Sequence, residues 1–252
     1  MKSLYESLLD DFGDLSDKLS SKMIKDQIKQ FLKANYMNPS KFRISKGLNE
    51  DGYYEVNCSA LRIVEVSWSK RDSISHLTNN MFVFTNVRSF DCDECSNLIS
   101  LEGAPKEVSK NFYCCECSNL TSLKGAPQNV GEDFLCSECS NLTSLEGAPQ
   151  KVGRNFSCVG CDKLTSLEGA PQKVNVFSCA GCGKLTSLKG APKEVSKNFH
   201  CNNCSNLTSL EGAPKEIGGS FSCVGCGKQF TETEVLKYVK IEMPDRIHTI
   251  DK

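Results

Sequence analysis

The sequence predicts a repeat solenoid, in which short coils stack into one continuous core with a parallel β-sheet on the concave face and few or no convex helices. Three observations carry this expectation. Phe90, Phe112, Phe134, Phe156, Phe177, Phe199 and Phe221 recur at intervals of 22, 22, 22, 21, 22 and 22 residues. Each opens an F-x-C-x-x-C, and the first six of these continue x-x-L-x-x-L-x-G-A-P-x-x-V or I, as in FLCSECSNLTSLEGAPQKV from Phe134 to Val152. The third is the Gly-Ala-Pro itself. Gly supplies a tight bend, Pro fixes φ, and the pair is poor in helix propensity. The convex side should therefore be extended chain or 3₁₀ turns.

Single units of this kind cannot fold alone. One repeat offers four large apolar groups (Phe134, Leu142, Leu145 and Val152 in the copy above). Their burial is worth ~6–12 kcal/mol, whereas each ordered residue costs on the order of 1–2 kcal/mol in backbone entropy. Stacking shares one core among neighbours and pairs their strands. Within a repeat the strand is expected on F-x-C, with Phe and the first Cys inward and their neighbours outward; the alternative register puts it on Leu-Thr-Ser-Leu. The short interval arises where Val152-Gly-Arg-Asn-Phe156 becomes Val174-Asn-Val-Phe177. One residue is missing just before a strand, where a loop can absorb it.

Ser144-Leu-Glu-Gly-Ala-Pro149 and Ser166-Leu-Glu-Gly-Ala-Pro171 resemble the leucine-rich repeats that bacterial and tailed-phage genomes carry in S-L-E-G-A-P form. The opening Met1-Lys-Ser-Leu-Tyr-Glu-Ser-Leu-Leu-Asp-Asp11 is similar to the start of such phage proteins. The resemblance covers the array strongly and the flanks weakly. It implies a leucine-rich solenoid and a viral or phage origin, and it carries no activity. Analogy with the L-x-L-x-x-N/C signature of such repeats favours F-x-C as the strand. The chain departs from that pattern with Cys in place of Asn at Cys95, Cys117, Cys139, Cys161, Cys182, Cys204 and Cys226.

The flanks divide the chain further. Residues 1–39 read as a helical segment: Leu4, Leu8 and Phe12, then Ile24, Ile28, Phe31 and Leu32, sit at helical spacing, and Pro39 stops the run. The first stretch is acidic and the second basic, which suits solvated faces of cap helices better than a docking arm. Residues 40–89 are β-rich, with strands expected at Phe42–Ile44, Tyr53–Val56, Leu61–Val66 and Met81–Phe84 and a turn at Asp51-Gly52. They read as divergent first coils that cap the array. The repeats fill 90–230, the last truncated and fraying at Phe230. Residues 231–252 form a helical cap and tail, with Thr231 and Glu234 as a capping box, Val235, Leu236 and Val239 as the sealing face, and Pro244 as the stop.

The 30 basic and 31 acidic side chains leave a net charge of -1, so no nucleic-acid partner is expected. No apolar run is long enough to cross a membrane. Glu6, Asp10 and Asp11 stand where an export signal needs a cationic end and an apolar core. The expected location is cytoplasmic, in a host cell if the gene is viral. The Asn-Leu-Thr sequons at Asn119, Asn141 and Asn206 are by-products of the repeat.

Seven C-x-x-C pairs are the loudest chemical signal. Adjacent pairs read as zinc sites in other settings, and Cys114, Cys117, Cys136 and Cys139 would be the ligands of such a site. Yet the pairs recur in phase with Phe and Leu, once per repeat, which marks core positions. A buried thiol behaves as a small hydrophobe with a weak donor, available to a backbone carbonyl. No metal or cofactor is therefore expected. Strand spacing would permit oxidation of the ladder to disulfides. Cys115, outside the ladder, should face solvent; it reads as an ordinary surface cysteine, with a reactive thiol as the alternative. The three histidines, His76, His200 and His248, lie in no catalytic motif, and no phosphate-binding or nucleophile-elbow pattern is present.

The function expected is that of a non-catalytic scaffold that binds a protein, in the phage case a host factor. A metal or redox protein built on the cysteines, and a self-assembling structural component, are the alternatives. The expected binding residues flank Phe and the first Cys in the early repeats: Asp91, Asp93 and Glu94; Asn111, Tyr113 and Glu116; Asp133, Leu135 and Glu138. Later repeats are small and nearly neutral there. Two large side chains among carboxylates suit a basic protein surface; the alternative reading is a simply solvated acidic face.

Overall fold

The computed structural model describes residues 21–30, 32–33, 40, 42–48, 50, 54–57, 65–67, 77, 82–241 and 246–249. Within them the chain is a parallel β-solenoid with few helices. Helix α1 (residues 21–30, 32 and 33) delivers Ile28 and Leu32, both fully buried, into the main core. It is tied down where Lys25 Nζ donates to the Lys46 carbonyl at 2.7 Å and stands over the Tyr54 ring. The expected helix through Leu4, Leu8 and Phe12, together with Phe31 and Pro39, lies outside the described residues.

Strands β1 (Arg43–Leu48), β2 (Tyr54–Asn57), β3 (Glu65–Ser67) and β4 (Phe82–Thr85) fall on the four expected stretches. β2 and β4 pair in parallel, as rungs of a coil do, but β1 pairs with β2 antiparallel. The first coil therefore begins as a hairpin. Its turn at Asp51-Gly52 lies outside the described residues.

The F-x-C segments are strands, as their phase predicts: β5 (Ser89–Asp91), β7 (Phe112–Tyr113), β9 (Phe134–Leu135), β11 (Asn155–Ser157), β13 (Val176–Ser178), β15 (Phe199–His200) and β17 (Phe221–Ser222). With β3 and the late strand β19 (Ile247–His248) they make one nine-stranded sheet. The register places each Phe beside the next. From Phe90 to Phe221 the rings stack face to face, with centroids 5.3–5.5 Å apart and planes within 16°. Every one is fully buried. Leu-Thr-Ser-Leu forms no strand. It follows a tight turn, closed for example by Leu142 N–H donating to the Cys139 carbonyl.

A second line of strands was not expected: β6 (Glu107–Val108), β8 (Asn129–Val130), β10 (Lys151–Val152), β12 (Lys173–Val174), β14 (Glu194–Val195), β16 (Glu216–Ile217) and β18 (Lys240–Ile241). In the Gly-Ala-Pro repeats Pro leaves the chain extended, and the Val or Ile three residues on turns inward. Two-residue strands carry almost no periodicity, which is why the sequence hides them. This line splits into a three-stranded and a four-stranded sheet between β10 and β12. The split falls at the missing residue. Gly153 N–H donates to the Val130 carbonyl, but the Asn175 N–H at the short repeat donates to the Arg154 carbonyl.

At the far end, helix α2 (Glu232–Leu236) starts on the expected capping box between Thr231 and Glu234. Val235 and Val239 are buried, but Leu236 is 42% exposed, because so short a helix covers the core with only one side. Phe230 is not frayed; it is 5% exposed. The tail then adds a degenerate eighth coil, with Ile241 beside Ile217 and Ile247 beside Phe221. Pro244 lies outside the described residues.

Candidate functional site

The cysteine ladder is a set of cross-coil hydrogen bonds. From the second pair onward, the second Cys donates its thiol to the carbonyl of the first Cys one coil back: Cys117 to Cys92 at 3.1 Å, Cys139 to Cys114 at 3.1 Å, Cys161 to Cys136 at 3.2 Å, and so on to Cys226. The first Cys donates forward, as Cys114 does to the Leu135 carbonyl and Cys136 to the Ser157 carbonyl. Burial pushes the Cys92, Cys114, Cys136 and Cys201 thiols well above the ordinary range. That keeps the proton which the donor role needs. Cys114, Cys117, Cys136 and Cys139 are thus committed to carbonyls, and among the described residues no three His, Cys, Asp or Glu side chains gather as a metal cluster.

Cys115 departs from expectation. It is half-buried, its N–H donates to Asp93 Oδ1 at 2.5 Å, and burial together with the Asp93 charge pushes its thiol up to about 12. At neutral pH it is protonated, so it is a poor nucleophile rather than the reactive thiol.

The expected binding residues come together on the outward face of the first repeats. Asp91, Tyr113 and Leu135 share one in-register column across β5, β7 and β9, all half-buried. Asp93, Asn111 and Asp133 do structural work too. Each accepts the backbone N–H of a residue in the next coil, from Cys115, Asp133 and Asn155 respectively. Burial raises the Asp93 carboxyl pKa.

Glu94, Glu116 and Glu138 are not strand residues. They occupy the second turn position between the cysteines with φ of 57, 56 and 59°, the left-handed region. Later repeats fill the same position with Gly160, Gly181, Asn203 and Gly225, which enter it at less cost. The change from C-x-E-C to C-x-G-C was visible in the sequence and could have placed these glutamates in a turn. Glu138→Gly is expected to raise stability by ~0.5–1 kcal/mol, the left-handed strain less the chain entropy that Gly adds. Urea midpoints at unchanged m would show it; a loss of stability would mean the turn holds no strain.

A long concavity lies elsewhere, over the second line of strands. A groove of about 1030 Å³ is lined by Arg88, Asn129, Lys151, Lys173 and Asn175 among others. It shares Asn86 and Glu107 with a 620 Å³ hollow at the N-terminal end, and Lys173 and Ser196 with a 320 Å³ one towards the C-terminus. Among its lining residues, Lys173 pairs with Glu194, and Asn129 Nδ2 donates to Glu107. Nothing in the linear pattern announces this groove, because it exists only once coils are stacked.

Searches against protein-family models, curated proteins and solved structures find no match for this chain. Among the described residues no helix is long and apolar enough to cross a membrane.

Proposed function

We propose that the protein is a non-catalytic scaffold whose acidic face, residues 91–138, docks a basic surface of a protein partner. The observation that carries this is the strained turn. Glu94, Glu116 and Glu138 each hold a left-handed conformation that Gly adopts freely in the equivalent turns of the fourth, fifth and seventh repeats. Retained strain marks positions where the side chain is wanted. The side chain wanted here is a carboxylate, beside the Tyr113–Leu135 column. Large side chains ringed by charge combine an anchor with electrostatic steering. The ladder thiols, bonded to carbonyls and at Cys92, Cys114, Cys136 and Cys201 held protonated by burial, support a structural role for the cysteines over a redox one. The S-L-E-G-A-P resemblance supports a phage-encoded protein acting on a host factor in the host cytoplasm.

A pull-down from the natural host supplies the partner, and the decisive measurement follows. Changing Tyr113 and Leu135 together to Ala should weaken binding at least tenfold, about 1.4 kcal/mol, with an unchanged thermal midpoint. Binding that survives this double change and requires α1 instead overturns the assignment.

A further inference from the structure

We propose that His200 and His248 form a two-imidazole site for a divalent transition-metal ion of the zinc, nickel or copper type, which ties the terminal strand β19 to β15 across β17. The register carries the inference. His200 pairs with Ser222, and Ser222 pairs with His248, so the three stand in one column. Their neighbours Phe199, Phe221 and Ile247 are buried in the core, so the column faces outward. At about 4.8 Å per strand the two histidine Cα atoms lie about 10 Å apart.

The residue between them is small. Its hydroxyl is drawn sideways, donating to Asn202 Oδ1 at 2.5 Å. Two imidazoles leaning towards each other over it bring a nitrogen each to a common point, where a metal ion takes them at about 2.0–2.1 Å. Burial supports the lean. Ser222 is only 7% exposed, whereas Ser157 and Ser178, at the same place in earlier repeats, are half-buried. Ser222 stands between two imidazoles in the register; Ser178 has one beside it, His200, and Ser157 has none. Burial, and then the charge of His248, lowers the pKa of His200, favouring the neutral imidazole that ligates.

Water fills the remaining coordination positions, so borderline ions that accept imidazole are the fitting class. The consequence is mechanical. The tail reaches the nine-stranded sheet through the two residues of β19, and an ion bridging β15 to β19 clamps that end of the array.

The test titrates Zn²⁺ or Ni²⁺ alone into Cys58→Ser/Cys115→Ser protein, which removes both thiols outside the ladder. One ion per chain should bind saturably and raise the thermal midpoint. His200→Ala and His248→Gln should each weaken binding at least tenfold and abolish the thermal shift, while His76→Ala keeps both. Circular dichroism of the metal-free variants, matching the parent, separates loss of a ligand from loss of fold. Absence of saturable binding in the parent, or binding of equal strength in the His200→Ala/His248→Gln double variant, overturns the proposal.

Discussion

Phe156→Ala is expected to cost ~3–5 kcal/mol, the range for deleting a buried aromatic ring from a packed core. Phe156 is fully buried near the middle of the array. Its ring stacks on Phe134 at 5.3 Å and on Phe177 at 5.4 Å, so one deletion opens a cavity at two coil interfaces. The chain around it cannot collapse to fill the space, because both neighbouring strands are held in register by the sheet. In a solenoid, stability is a sum of repeat terms and nearest-neighbour interfaces. Weakening two adjacent interfaces should therefore cut the array into separately unfolding halves, as well as lower its stability. Urea unfolding followed by circular dichroism should show an earlier and broader transition. A cost below about 1 kcal/mol with a single sharp transition would mean the ring column is not what couples the coils.

What the sequence revealed and what it hid follow from how many residues report on each feature. The Phe column is legible because one large inward residue marks every rung, and the phase of Cys and Leu against it distinguishes core from metal site. The second line of strands shows only one inward residue, Val or Ile, in a stretch that reads as turn. The eighth coil was missed because Ile247 stands where Phe would, outside the period. The face carrying Asp91, Tyr113 and Leu135 was legible from alternation alone. The turn glutamates were misplaced onto the strand because their backbone conformation leaves no mark at their own positions, only a Gly in the equivalent later ones. The groove and the His200–Ser222–His248 column needed the stack itself.

The glycine of Gly-Ala-Pro sets how closely the coils approach, and Gly147→Ala is expected to cost ~2–5 kcal/mol, combining left-handed strain of ~1–2 kcal/mol with overpacking of ~1–3 kcal/mol. Gly147 has φ of 87°, which disfavours any side chain. An added Cβ would also meet backbone, lying 2.6 Å from Lys124 Cα and 2.7 Å from the Leu123 carbonyl carbon. Those atoms cannot rotate away. They belong to the previous coil, whose Leu123 N–H donates to the Glu146 carbonyl immediately before this glycine. Relief requires the two coils to separate, which would break that bond and thin the contacts between Leu123 and Leu145. Gly183 provides the control. It has no left-handed φ, and the nearest atom to its added Cβ is Ser205 Oγ at 3.4 Å, the end of a short rotatable side chain. Gly183→Ala should fall within about 0.5 kcal/mol of the parent, as surface changes away from special features do. Equilibrium denaturation of both variants decides the matter: similar stabilities would show that the coil spacing is set by the cysteine and phenylalanine ladders alone, with the glycine a passive turn residue.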